Sequence, residues 1–207
     1  MKNTPSKASE SVEALRKNAA AGDANAMHSL GSRYETGNGV PQDYATAAHW
    51  YRVAAERGST VSMVDIGVLY GRGNGVQQSY REEMRWYRLA AENENDVAML
   101  YLGHMYRHGN GAPQDYRQAL VWYRKSAEMG NASALDMVGE MYRDGEGVPQ
   151  SYAEAYFWLN LGAVDPPPGT PQDRDAMAGK LSPAKLAEIQ ERCRRWAEIH
   201  PKIHFTP

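Results

Sequence analysis

The segment Ala26–Gly58, AMHSLGSRYETGNGVPQDYATAAHWYRVAAERG, sets the architecture because its pattern occurs four times in the chain. Successive copies are offset by 36 residues, with no insertion or deletion between them. A constant offset of this length indicates a repeat protein in which each unit is one supersecondary element. The recurring positions are Gly31, Gly67, Gly103 and Gly139; Tyr34, Tyr70, Tyr106 and Tyr142; Gly37, Gly73, Gly109 and Gly145; Gly39, Gly75, Gly111 and Gly147; Tyr44, Tyr80, Tyr116 and Tyr152; and Trp50, Trp86, Trp122 and Trp158.

The first half of each copy predicts one helix, here named helix A. In the first copy Ala26, Leu30 and Tyr34 follow the helical period, with polar residues on the other faces. Two glycines, Gly37 and Gly39, then end the helix and permit positive φ in the turn.

The second half of each copy predicts another helix, here named helix B. It begins after Asp43, whose carboxylate can accept the unpaired N–H groups of the first helical turn. Its apolar stripe includes Trp50, which we expect to wedge helix B against helix A, and the small Gly31 leaves room for a large ring. The capping boxes predicted in later copies are Ser79 with Glu82, Asp115 with Gln118, and Ser151 with Glu154.

A two-helix unit of this size cannot bury its apolar face alone, so the four units must stack. The sequence therefore predicts an all-α fold, a right-handed α-solenoid of stacked αα-hairpins with a capping helix at each end. Residues 1–22 are expected to form a tail and the first capping helix. The repeats are predicted at 23–58, 59–94, 95–130 and 131–165, and residues 166–207 as a proline-rich linker and the last capping helix.

The last capping helix has clear start signals. Ser182 is its expected N-cap and Pro183 its first residue. Leu186, Ile189, Cys193, Trp196 and Ala197 lie on one face, which we expect to cover the open end of the stack.

The pattern A-x-x-x-L-G-x-x-Y-x-x-G-x-G-V-P-Q-D-Y-x-x-A-x-x-W-Y-x-x-A-A-E-x-G, from Ala26 to Gly58, resembles the Sel1-like repeat, a relative of the tetratricopeptide repeat. The segment from Leu181 to Trp196 is similar to the ending of bacterial members of that family. The resemblance implies stacked αα-hairpins and a role in holding proteins together, in signalling, envelope biogenesis, host interaction or toxin–immunity pairs.

The second copy departs from the pattern at three positions. Glu83 replaces the small residue found at Ala47, Gln77 replaces the proline of the turn, and Glu94 replaces the closing glycine. We expect looser packing, or a looser end of helix B, in this repeat.

Few side chains are placed so as to catalyse a reaction or bind a metal, so no catalytic residue, metal or cofactor is predicted. The Gly-x-Gly turns occur four times between helices, whereas a phosphate loop follows a strand and needs a suitably placed lysine or acid. His104 and His108 have the i, i+4 spacing of metal ligands, but no third ligand is evident. Cys193 shares its helix face with apolar residues, which favours a buried thiol.

Because the recurring positions explain folding, we expect function at positions that vary between the repeats. If the stack resembles tetratricopeptide arrays, helix A lines a concave groove with its outward stripe. Solvent-facing valines and a leucine would form an apolar patch at the middle of this groove, with polar ends. A second interpretation remains open, in which these apolar residues pack between adjacent repeats. The predicted protein-binding residues are Asn25, His28, Ser32, Val61, Val64, Val68, Arg72, Val97, Leu100, His104, His108, Asp136, Glu140 and Asp144.

The function expected from these patterns is a non-enzymatic, monomeric scaffold that binds a protein or peptide segment in the groove. Two alternatives are a β-lactam-interacting hydrolase or small-molecule binder, as in cysteine-rich relatives, and the cognate inhibitor of a toxin. A net charge of -2 gives no electrostatic reason to expect nucleic acid as a partner. The sequence has no signal-peptide pattern and no apolar run able to span a membrane, so we expect a cytoplasmic protein, or a periplasmic or secreted one if a leader has been removed.

Overall fold

The computed structural model describes residues 11–162 and 170–200, and all the regular elements in these ranges are helices, as predicted. The helices divide into two units, unit 1 (Met1–Asn93) and unit 2 (Glu94–Pro207). Most of the predicted proline-rich linker lies outside the described residues. Unit 1 contains α1 (Val12–Ala20), α2 (Ala24–Thr36), α3 (Tyr44–Glu56), α4 (Thr60–Arg72) and α5 (Tyr80–Glu92). Unit 2 contains α6 (Asp96–His108), α7 (Tyr116–Glu128), α8 (Ala132–Asp144), α9 (Tyr152–Gly162), α10 (Thr170–Ala178) and α11 (Pro183–Ile199).

Helices A and B of each repeat meet at a glycine. A Cβ atom placed on Gly31 would lie 2.5 Å from Cδ1 of Tyr51, whose ring is buried against α2. The ring at the glycine is therefore Tyr51, and the prediction that Trp50 forms this wedge is wrong. Because the glycine has no side chain, the two helices approach closely and bury most of the apolar surface of the repeat. The equivalent pairs are Gly67 with Tyr87, Gly103 with Tyr123, and Gly139 with Leu159.

The Gly-x-Gly turn satisfies its own polar groups. Gly37 caps α2 in the left-handed conformation, with φ of 73°. The Asp43 N–H donates to the Tyr34 carbonyl at 2.9 Å, and the Gln42 side-chain amide donates to the Glu35 carbonyl at 2.7 Å. Both bonds recur in all four repeats, so the recurring glutamine caps the C-terminus of helix A.

Only one of the two hydrogen bonds of each predicted capping box is present. The Ser79 hydroxyl accepts from the Glu82 N–H, as expected, but the Ser79 N–H donates to the Tyr70 carbonyl. The side chain of Glu82 instead binds Arg85. The backbone N–H that would complete the capping box is already bonded to a carbonyl group in the turn.

The recurring tyrosine of helix A joins successive repeats. The guanidinium of Arg16 on α1 donates to the Tyr34 hydroxyl at 2.9 Å, and Arg52 on α3 donates to Tyr70 at 3.1 Å. Arg124 on α7 makes the same bond to Tyr142 of α8. The half-buried tyrosine ring is thus anchored by a polar contact with the preceding helix B.

The second repeat compensates for its departures from the pattern. In the first repeat, Glu35 on helix A accepts a hydrogen bond from the Tyr51 hydroxyl at 2.6 Å. In the second, Glu83 on helix B accepts from the Tyr87 hydroxyl at 3.1 Å, and Gly71 of helix A provides the space, since a Cβ there would lie 2.6 Å from the carboxylate.

The closing position of the second repeat keeps the backbone of the glycine it replaces. Glu94 has φ of 58°, in the left-handed region that its glycine counterparts occupy. Helix α5 has 13 residues, like α3 and α7, so the end of helix B is preserved.

Three further helices flank the four repeats in the described part of the chain. Helix α1 packs on α2 and buries Leu15 and Ala19. Helices α10 and α11 both pack on α9. The Ser182 hydroxyl caps α11 as predicted, and Ile189 and Cys193 are buried in the core of unit 2.

Candidate protein-binding face of the helix A series

Four positions on each helix A lie toward solvent. Their spacing, i, i+4, i+7 and i+11, traces one helical stripe, and each of the residues concerned is exposed or half-buried. These residues are named the helix-A face below. They are Asn25, Ser29, Ser32 and Thr36 on α2; Val61, Asp65, Val68 and Arg72 on α4; Val97, Tyr101, His104 and His108 on α6; and Ser133, Met137, Glu140 and Asp144 on α8.

The apolar patch predicted from the sequence is partly wrong. Val61 and Val97 are exposed, at 53% and 37% of their full surface, and Val68 is half-buried. Val64 and Leu100, however, are only 8% and 9% exposed, so these two belong to the core. Val61 and Val97 therefore fit the interpretation of a solvent-facing patch, whereas Val64 and Leu100 are buried.

Sequence reasoning missed the second position of the stripe. Each of Ser29, Asp65 and Tyr101 lies four residues after a predicted position and three before another, and Met137 lies three residues before predicted Glu140. The helical period itself predicts that such a residue shares the face.

In unit 1 the helix-A face is polar around one exposed valine. The His28 Nε2 atom lies 2.9 Å from Oδ2 of Asp65, which joins α2 to α4. Beside α2 there is a cavity of about 330 Å³. It is lined by Leu15, His28, Ser29, Ser32, Arg33, Thr36 and Asn38.

In unit 2 carboxylates outnumber guanidinium groups on and beside the part of the helix-A face formed by α8. Arg107 binds Glu140 at 3.2 Å and Glu146 at 2.8 Å. Arg143 binds Asp144 at 2.8 Å and Asp173 of α10 at 3.1 Å. Asp136 stands among these carboxylates, so this part of the surface has an excess of negative charge.

The carboxyl group of Asp136 is poorly placed to ionise. Burial, followed by the negative charges of Glu140 and Asp173, raises its pKa to about 6. Its Oδ1 atom is buried and has no hydrogen-bond partner among the described residues. The side chain is thus held in an environment that penalises its charged form.

The two histidines of α6 lie side by side, with ring centroids 6.5 Å apart. Burial, His108 and Arg107 lower the pKa of His104, and its Nδ1 atom lies 2.9 Å from the Tyr123 hydroxyl. Within residues 11–162 and 170–200, no three His, Cys, Asp or Glu side chains are grouped so as to hold a metal ion.

The thiol of Cys193 has no exposed surface, as predicted. Burial raises its pKa to about 11, so it is protonated at neutral pH. A protonated, buried thiol is a poor nucleophile. No helix in the described part of the chain is long and apolar enough to cross a bilayer.

Stacked αα-hairpins with a constant core and a varied outer stripe define an α-solenoid repeat protein. The family model of the Sel1 repeat matches residues 24–59, 60–95, 96–131 and 132–163, which together make up more than half of the chain. The chain belongs to the Sel1 repeat family. Proteins built from these repeats are generally non-catalytic scaffolds for protein interaction.

Two solved structures are similar along most of this chain. A protective antigen of uropathogenic Escherichia coli strains, described as displaying an SLR fold, superposes with a TM-score of 0.81 at 27% identity, over 91% of this chain and 41% of that chain. A Sel1 repeat protein from Oxalobacter formigenes superposes with a TM-score of 0.76 at 26% identity, over 89% of this chain and 78% of that chain. No curated protein sequence matches the chain.

Proposed function

We propose that the chain is a non-enzymatic, monomeric scaffold that binds a protein or peptide segment on the helix-A face. One observation carries the proposal: along the same four helices, buried positions stay apolar while most outward positions hold a different residue in each repeat. The buried position of Leu30 holds Ile66, Leu102 and Val138 in the other repeats. The outward position of Ser32 holds Val68, His104 and Glu140. Packing in the core explains why the buried position stays apolar. We assign recognition of the partner to the outward position, which varies.

The proposed segment has both apolar and charged contacts. Exposed Val61 in unit 1 and Val97 in unit 2 supply apolar anchors for it. The acidic surface around Asp136 and Glu140 favours a basic residue in the part of the segment bound by unit 2. Charge then fixes the direction of the segment, while the apolar contacts supply most of the affinity.

The proposal is tested with a photo-crosslinking amino acid placed at single positions in cells of the source organism. Val61 and Val97 are the test positions. Val121, on helix B of the third repeat, is the matched control because it is also an exposed valine, at 46%. We expect one protein to be crosslinked from both test positions and not from the control.

The identity of that crosslinked protein separates the scaffold from a toxin inhibitor, since mass spectrometry would reveal a toxin directly. Equal crosslinking from Val121 and from the two helix-A positions would contradict the proposal. In that case the helix-A face would have no privileged role in binding.

A further inference from the structure

Three of the four turns between helix A and helix B contain an asparagine followed directly by a glycine. The fourth turn has a glutamate in the place of the asparagine. An asparagine in this position can react with the backbone, because glycine has no side chain to shield its nitrogen from the neighbouring side-chain amide. The four pairs are Asn38 with Gly39, Asn74 with Gly75, Asn110 with Gly111, and Glu146 with Gly147.

The two Asn-Gly turns of unit 1 have nearly the same backbone. The N–H of each asparagine donates to the carbonyl five residues earlier, at 3.1 Å in both turns. The φ angle is 81° at Gly39 and 69° at Gly75. Both turns also read Gly-Asn-Gly-Val. Neither the sequence nor the local backbone therefore distinguishes the two asparagines.

The two turns differ in what lies against the second glycine. A Cβ atom placed on Gly75 would lie 2.2 Å from the carbonyl carbon of Tyr44 and 2.4 Å from the backbone nitrogen of Ala45, at the start of α3. The turn of the second repeat is thus packed against helical backbone. Among the described residues, the atom nearest to the same position on Gly39 is a methyl carbon of Val12, at 3.3 Å.

This difference in packing affects the reaction between the asparagine and the glycine nitrogen. The peptide group between the two residues must rotate to bring that nitrogen to the side-chain carbonyl carbon, which moves the glycine as well. At Gly75 the rotation would separate the turn from α3. At Gly39 it moves a flexible side chain and breaks the hydrogen bond from Arg33 Nη1 to the Asn38 carbonyl, which is long at 3.4 Å. The barrier in the folded protein is therefore lower at Asn38.

We propose that Asn38 is a site of spontaneous deamidation and that packing against α3 protects Asn74. The Gly39 nitrogen loses its proton to solvent and attacks Cγ of Asn38. The new C–N bond closes a succinimide ring, and the side-chain nitrogen leaves as ammonia. Water then opens the ring at either carbonyl and gives aspartate or isoaspartate. One water is consumed for each ammonia released, and nothing is oxidised or reduced.

The product carries a negative charge at a repeat position that already holds one in the fourth repeat. There the Glu146 carboxylate accepts from Arg107 Nε at 2.8 Å. Asn38 lines the cavity beside α2 together with three residues of the helix-A face. Deamidation of Asn38 thus changes the charge of the surface at this edge of the helix-A face.

The test incubates the full folded chain in water enriched in the heavy oxygen isotope and measures its proteolytic peptides by mass spectrometry. Uptake of the isotope marks each asparagine that is hydrolysed during the incubation. We expect Asn38 to react about tenfold faster than Asn74, the ratio that a barrier difference of about 1.4 kcal/mol gives. The chain unfolded in urea is the reference. There both asparagines should react at the same rate, because their nearest neighbours in sequence are the same.

The matched variant is Glu146→Asn, which creates an Asn-Gly pair in the fourth turn. Its glycine is packed like that of the second repeat, since a Cβ on Gly147 would lie 2.7 Å from the carbonyl carbon of Tyr116. The new amide should therefore take up as little isotope as Asn74 while the variant is folded, and react freely in urea. Circular dichroism checks that the variant is folded.

Equal rates for Asn38 and Asn74 in the folded chain would overturn the proposal. An Asn38 that reacts in urea but stays intact in the folded chain would do the same. Fast hydrolysis of the new amide in folded Glu146→Asn would show that packing on a helix gives no protection. All these measurements are made without a partner, so their outcome is independent of the crosslinking that tests the proposed function.

Discussion

The two faces of helix A obey different rules. The face toward helix B repeats its residues, because a side chain at Gly31 or Gly103 would overlap the ring packed there. The outward face changes between the repeats, and one of its positions holds Ser32, Val68, His104 and Glu140 in turn. Stability and recognition are thus assigned to opposite sides of one helix, and each side can be changed separately.

The largest expected effect comes from a side chain at the constant face. A Cβ at Gly103 would lie 2.4 Å from the Tyr123 ring, so Gly103→Val should lower the free energy of unfolding by about 3 kcal/mol. Ser133→Val on the outward face of the same unit should change it by less than about 0.5 kcal/mol. Both are measured by chemical denaturation. Equal losses for the two variants would remove the distinction between the faces.

A gain in stability is expected from Asp136→Asn, a half-buried position beside the outward face. The pKa of Asp136 is about 6 when folded and lower when unfolded, so the folded state binds more protons between pH 4 and 6. Stability from this group is therefore lost as pH rises through that window. One pKa unit corresponds to about 1.4 kcal/mol, and partial exposure reduces the effect, so we expect a gain of about 1.5 kcal/mol at pH 7.

The measurement for Asp136 is the free energy of unfolding of both proteins from pH 4 to pH 7. The difference between them should grow as pH rises to about 6 and then level off. A constant difference over this range would show that Asp136 does not titrate as described. A gain at neutral pH would mean that the chain keeps Asp136 at a cost in stability, as functional sites do.

A smaller effect on stability is expected from changing Glu83 and Gly71, the two residues of the second repeat that compensate for each other. Glu83→Ala removes the hydrogen bond from the Tyr87 hydroxyl and should lower stability by about 1 kcal/mol. Adding Gly71→Glu recreates the arrangement of Glu35 in the first repeat, so the double variant should recover at least half of the loss. Thermal unfolding of the three variants measures the coupling. A double variant less stable than Glu83→Ala would contradict the compensation.

The sequence predicted the hairpins well because the period alone determines them. The caps at Asp43 and Ser182 and the close approach at Gly31 all follow from local chemistry. Only part of the compensation between Gly71 and Glu83 was accessible, because Glu83 departs from the repeat pattern whereas Gly71 lies at a position that already varies between the repeats.

The burial of side chains next to the outward stripe of helix A was not predictable from the helical period. Val64 and Leu100 occupy the same repeat position as His28 and Asp136, which are half-buried. The extent of burial there depends on how closely the neighbouring helices approach, which is a tertiary contact. For the same reason, the sequence could not separate exposed Val61 from buried Val64.

The central claim is that recognition resides on the outward face, and calorimetric titration with the crosslinked partner tests it most directly. Val61→Asp and Val121→Asp both place a charge on an exposed valine, so neither should disturb the fold. The account predicts that Val61→Asp weakens binding by at least about tenfold, or about 1.4 kcal/mol, while Val121→Asp stays within about twofold of the parent. Equal affinities for the two variants would contradict it.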